Sequence, residues 1–342
     1  MSSIVNVSRT TGDSVVSSER DEVMHDFIFV NYVILSALIS TPGVVFNIVS
    51  VVVFVRLGVS DTINISLLGL ALADIGVLLT MTGYSVMYNP LVLASVPQMD
   101  VIDAVNYVVL GTPHVLFSRI AGCLTAFIAV ERCLCIAWPL RVKSLLTPWR
   151  TGMVVICIYI VLVSSTLSLF VANRIGPRFN QEFNLTVVGL IVASNVELME
   201  NITLTFYIIA QITAFVVVTM STLGLVRSLL RVAKWRRSTS MCSYLNHVSI
   251  RDKQLVKMVV TLSTVFIVCS LPTVVGNLVM IFLKDFNVKG TGKSLFICCF
   301  SVFFVLEAIN SSANIFIYFK MSSKFKEMFL LLFRLNIKTM KR

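Results

Sequence analysis

Charged side chains are scarce, at 13% of 342 residues against 57% hydrophobic ones. Ordinary soluble domains hold about a quarter charged residues, so this balance excludes a water-facing globule. Histidine is rarer still, with only His25, His114 and His247, far apart in the chain. There is no Gly-rich phosphate loop and no His-Glu-x-x-His pair, so phosphoryl-transfer and zinc-hydrolase chemistry lack their signatures. The chain reads as a non-enzyme. It also lacks internal repeats, low-complexity tracts and Gly/Pro-broken half-spans, which counts against the alternative of a polytopic transporter or channel. Residues 1–26 are polar and have no apolar core, so no cleavable signal is expected and the first span is read as a signal-anchor.

What fills the space left by the charges is a set of seven apolar runs. They cover 27–55, 62–99 broken by Asp74, 104–130 broken by Arg119, 151–173, 201–226, 258–283, and 294–319 broken by Glu307. Each is long enough, as helix at ~1.5 Å per residue, to cross a hydrocarbon core that needs roughly 20 residues. The predicted fold is all-α: a seven-transmembrane helix bundle with an extracellular N-terminus and a short cytoplasmic amphipathic helix. A tail, 1–26, precedes one membrane domain, 27–320, and residues 321–342 hold the amphipathic helix and a second tail. Between the fourth and fifth spans, β-branched residues around Gly189 predict a short hairpin.

An odd number of spans puts the termini on opposite sides, and basic residues mark the cytoplasmic one. With the N-terminus outside, seven Lys and Arg fall outside and twenty inside, Arg119 being within the membrane. The net charge of +11 is therefore a topological asymmetry suited to anionic lipid, and not a nucleic-acid footprint. Sequons at Asn6, Asn184 and Asn201 all fall on the outer side, where N-glycosylation occurs, whereas those at Asn64 and Asn310 lie in or beside spans and are chance matches. The expected location is the plasma membrane, multi-pass. The 8 cysteines fall in spans or inside, so no extracellular disulfide is available. Cys133 and Cys135 have no nearby His partner, and no metal site is expected.

The inner end of the third span, "ERCLCIAWPL", resembles the Asp-Arg-Tyr motif and following Pro-Leu of rhodopsin-like (class A) G-protein-coupled receptors, through Glu131, Arg132 and Leu140. The resemblance runs along the chain. Asn47 matches the first-span asparagine, and "LALAD" ends on the second-span aspartate, Asp74. "FIVCSLP" keeps Phe266, Cys269 and Pro272 of the sixth span, and "NSSANIFIY" keeps Asn314 and Tyr318 of the seventh. The departures are equally specific. Tyr107 stands at the disulfide cysteine, Ser270 at the sixth-span tryptophan and Ile315 at the seventh-span proline, and the fifth span has no proline. Such divergence is similar to invertebrate chemosensory and orphan peptide receptors, molluscan ones included. A light receptor is excluded, because Ala308 occupies the opsin-like lysine position.

The resemblance implies a receptor for an extracellular peptide or small chemosensory molecule that activates a heterotrimeric G protein. Arg132 needs its charge satisfied at the membrane edge, and Glu131 together with Asp252 can do so, clamping the third span to the sixth. The alternative is an arginine that only snorkels to lipid phosphate. Pro272 bends the sixth helix by removing an amide hydrogen, so its inner end can swing. Asp74 is a buried carboxylate with Asn47, Asn310, Ser311 and Asn314 as family-matched partners. The cluster holds either a sodium ion, as the resemblance implies, or a hydrogen-bonded polar core with water; Ala121 stands where relatives commonly carry a serine.

The ligand pocket is expected among His114, Ser118, Arg119 and Glu307. His114 lies five helical turns before Arg132 and so shares its bundle-facing side. It occupies the position of the aspartate of amine receptors, while Glu307 can offer the missing negative charge. Arg119 sits about 20 Å from the inner end of its helix, too deep to snorkel. Its azimuth, about 140° from that of His114, predicts a course toward the fourth and fifth helices and away from Glu307. A carboxylate-bearing ligand, an anion, or a network of carbonyls and water can satisfy it.

Overall fold

The computed structural model describes residues 22–95, 102, 104–138, 142, 144–180, 185–192, 196–238, 250–283, 285–286 and 292–333. Seven helices in it are long and apolar enough to cross a membrane. They are α1 (Glu22–Leu57), α2 (Thr62–Met87), α3 (Asn106–Ala137), α4 (Pro148–Ala172), α5 (Val196–Ser238), α6 (Ile250–Phe282) and α7 (Lys293–Met321). A short helix, α8 (Ser323–Leu332), follows α7. The predicted hairpin forms as β1 (Asn173–Asn180) and β2 (Leu185–Val192), antiparallel with Gly176 opposite Gly189. One end of the bundle therefore carries the hairpin and the other carries α8.

Proline and glycine explain where helices begin, end and change pitch. The second span stops at Met87, short of the predicted residue 99, and a separate turn, Pro90–Ser95, follows. Pro90 disfavours helix at Asn89 yet fits the first turn of a new one. Pro113 has no amide hydrogen to give to the turn before it, and α3 opens there with a π-helical stretch, Asn106–Gly111. Thr147 caps α4 by accepting from the Arg150 amide at 3.4 Å, with Pro148 in the first turn. Gly58 ends α1 at φ 84°, a left-handed value that side-chain-bearing residues avoid.

The packing is inverted relative to a soluble protein. Leu38, Ile160, Val268 and Phe316 are more than 60% exposed on the outside of the bundle, whereas Asn47, Asp74, His114, Asn314 and Glu307 are buried inside. Lipid covers the first set; the second must satisfy itself. α3 sits centrally, touching α2, α4, α5 and α6. Close approach has local causes: a Cβ on Gly76 of α2 would fall 2.3 Å from the Phe117 ring of α3. The amphipathic expectation for α8 holds. Phe325 is fully buried against Phe54 of α1 and Tyr318 of α7, with ring centroids 5.3 and 5.5 Å away. Ser322 caps the helix by accepting from the Phe325 amide at 3.3 Å.

Candidate functional site

Polar side chains in the bundle gather at three levels. At the α8 end of α3, Arg132 Nη2 lies 2.5 Å from Glu131 Oε1 and 3.3 Å from Thr62 Oγ1 of α2. Thr62 also donates to Glu131 Oε1, and Ser66 donates to Oε2 at 3.3 Å. Glu131 is 1% exposed, so Arg132 is held by a buried carboxylate and does not merely reach for lipid. Leu140 and the side chain of Asp252 lie outside the described residues, though Asp252 itself falls in the first turn of α6.

At mid-depth, Asp74 accepts from Asn314 Nδ2 at 2.7 Å, with Ser311 close by. Its other oxygen, Oδ1, is buried without a hydrogen-bond partner among the described residues. The predicted partner Asn47 points elsewhere, donating to the backbone carbonyls of Gly43 and Ser311 at 3.0 Å each. Asn47 therefore fastens α1 to α7 instead of serving Asp74. Above this level lies a cavity of about 20 Å³, room for one water molecule. Ser118, Ala121, Gln211, Phe266, Asn310 and Glu307 help to line it.

The third level joins three predicted residues. His114 Nε2 is 3.3 Å from Glu307 Oε2, and Arg119 Nη2 is 3.6 Å from Glu307 Oε1. Thr80 of α2 meets His114 Nδ1 at 3.0 Å, and Thr273 of α6 donates to Glu307 Oε1 at 3.4 Å. The predicted course of Arg119 is thus corrected: its guanidinium reaches Glu307. An arginine stem is long enough to part company with its own azimuth, and a desolvated guanidinium goes to the nearest anion. Ser118 also faces Glu307. Sequence reasoning missed Thr273 and Thr80, which carry no charge and sit on other helices.

Pro272 lies inside α6 and leaves the Val268 carbonyl without its helical donor. Ser270, in place of the expected tryptophan, turns its hydroxyl onto the Phe266 carbonyl at 2.6 Å. Tyr107, at the expected cysteine, donates instead to Glu200 of α5 at 2.7 Å. Of the sequons, Asn201 is exposed in the second turn of α5, while Asn6 and Asn184 lie outside the described residues.

Seven spanning helices with acids and bases buried between them, and charge clusters at separate depths of one helix, define a multi-pass membrane protein whose interior links its two ends. Residues 46–318 match the family described as 7 transmembrane receptor (rhodopsin family). The chain belongs to that family. It is accordingly a signalling receptor of class A, and the transporter or channel alternative falls. No curated protein matches the chain.

Proposed function

We propose that the chain is a plasma-membrane receptor that binds an extracellular peptide or small chemosensory molecule in the hairpin-end half of the bundle. It then activates a heterotrimeric G protein at the α8 end, which faces the cytoplasm. The observation that carries this reading is the Glu131–Arg132–Thr62 cluster, whose Glu131 and Arg132 lie on the same helix, α3, as His114 and Arg119. Ligand that favours an outward-swung α6, hinged at Pro272, shifts the population toward a state with an open cytoplasmic cleft. Glu131, Arg132, Leu140, Asp252, Phe266, Pro272, Asn314 and Tyr318 form the switch in this reading.

Asp74 carries a second part of the proposal. Its unpaired Oδ1 suits a sodium ion, with Ser311 and Asn310 supplying further oxygens. Glycans are expected on Asn6, Asn184 and Asn201. Phosphorylation is expected in the third inner loop at Ser238, Thr239, Ser240 and Ser243, where it would offset the basic "KWRR".

The test is second-messenger output in cells expressing the full chain, compared at equal surface level. Asp252→Asn removes one charge partner of Arg132, worth roughly 0.2–1 kcal/mol, and should raise ligand-independent output a few-fold. Output unchanged from the parent chain would remove the clamp between α3 and α6.

A further inference from the structure

Arg119 is 5% exposed and deep in the bundle, yet its Nε and Nη1 nitrogens have no hydrogen-bond partner among the described residues. Its one anionic contact among the described residues, Nη2 to Glu307 Oε1, is 3.6 Å long, beyond hydrogen-bond length. A guanidinium binds a carboxylate best through two parallel N–H groups. It has two such edges, Nε with Nη2 and Nη1 with Nη2, so each edge here has one free nitrogen and shares the nitrogen that Glu307 holds loosely. Nη2 carries one N–H on each edge, so a two-oxygen anion that takes the edge facing Glu307 must displace that carboxylate from Nη2.

We propose that Arg119 is the binding site for the carboxylate of a small organic acid, and that Glu307 is a built-in substitute which the acid displaces. This rests on the reading of the His114–Arg119–Glu307 group as the ligand site. The cavity beside Glu307 has room for only about one water molecule, so the acid is small and its entry must separate helices. Glu307 is where those helices are tied: Oε1 also accepts from Thr273 at 3.4 Å, and Oε2 lies 3.3 Å from His114. Thr273 is the residue after Pro272, where α6 already lacks one helical hydrogen bond. Displacing Glu307 from Arg119 therefore removes one of its two ties to α3 beside the hinge of α6 and leaves His114 as the other. Ligand recognition and helix loosening become one exchange of anions.

The experiment uses the purified full chain in detergent and reads the thermal midpoint against sodium acetate, acetamide and sodium chloride at matched ionic strength. In Glu307→Ala, the substitute is gone and acetate should raise the midpoint saturably, whereas acetamide and chloride should not. Parent protein should need about thirty-fold more acetate or beyond, the factor expected when a buried charge must first be displaced. The double variant Arg119→Gln, Glu307→Ala should lose the response. If Glu307→Ala does not fold, Glu307→Gln carries the same series, because it keeps the side-chain volume. Equal shifts with acetate and acetamide, equal shifts with acetate and chloride, or a response that survives loss of Arg119 would each overturn the proposal. The readout is binding alone, so it stands or falls independently of any failure of G-protein coupling.

Discussion

One helix, α3, carries two charge clusters that meet the membrane in different ways. Near the α8 end, Arg132 takes its carboxylate from the adjacent residue, and the α2 hydroxyls of Thr62 and Ser66 complete the set. Deeper in, Arg119 takes its carboxylate from α7, at a longer distance, and two of its nitrogens have no hydrogen-bond partner among the described residues. A charged group at the bilayer centre costs about 2.5–3.5 kcal/mol by insertion measurements. At the edge that cost can be avoided by turning toward headgroups, so pairing there is optional and can serve as a switch. At depth no such retreat exists, and pairing becomes a condition of folding. Depth, more than the identity of the pair, separates an arginine whose partner is optional from one that must always hold some anion.

The comparison is broken most directly at Glu307. Glu307→Ala leaves Arg119 buried with no anion, which should lower stability by about 3–5 kcal/mol, read as a drop in thermal midpoint of the purified receptor. The double variant Arg119→Leu, Glu307→Leu should recover most of the loss. A double variant as unstable as the single one would show that volume, and not charge, sets the cost. Tyr107→Phe probes an intermediate case, a hydrogen bond to Glu200 at the hairpin end. Its loss should be about 0.5–1.5 kcal/mol in the same assay, toward the lower value because Tyr107 is 39% exposed. Lys324→Ala marks the small extreme. Lys324 meets Asp61 at 2.9 Å, but the two side chains are 49% and 38% exposed, so the change should fall below about 1 kcal/mol and vanish in high salt. A larger effect there would contradict the ordering by depth.

The span count, the hairpin and α8 were legible because each is written in contiguous residues: apolar length, β-branching around Gly189, and the amphipathic segment that the resemblance places after the seventh span. The Glu131–Arg132 pair was legible for the same reason. The third-level cluster was legible only in its members. His114, Arg119 and Glu307 each stood out as rare charges in apolar runs, yet their pairing depends on how α3 and α7 face each other and on the reach of a flexible stem. Periodicity fixes where a Cβ points and says nothing about a guanidinium several bonds further out. Asn47 failed for a related reason. A family match supplied its neighbourhood, but which carbonyl its amide would choose is decided by contacts of about 3 Å that no spacing encodes. The early end of α2 was written in the sequence at Asn89-Pro90 but hidden by a hydropathy criterion that ignores breakers.

The Tyr107–Glu200 contact has a practical corollary. Where a covalent sulfur bridge would make correct assembly depend on an oxidising compartment and its isomerases, a hydroxyl-to-carboxylate link forms and re-forms unaided. The tie between α3 and α5 at the hairpin end is therefore indifferent to thiols. Reducing agents can be kept in every step of production, including synthesis outside the cell, without touching the contact that closes this end of the bundle.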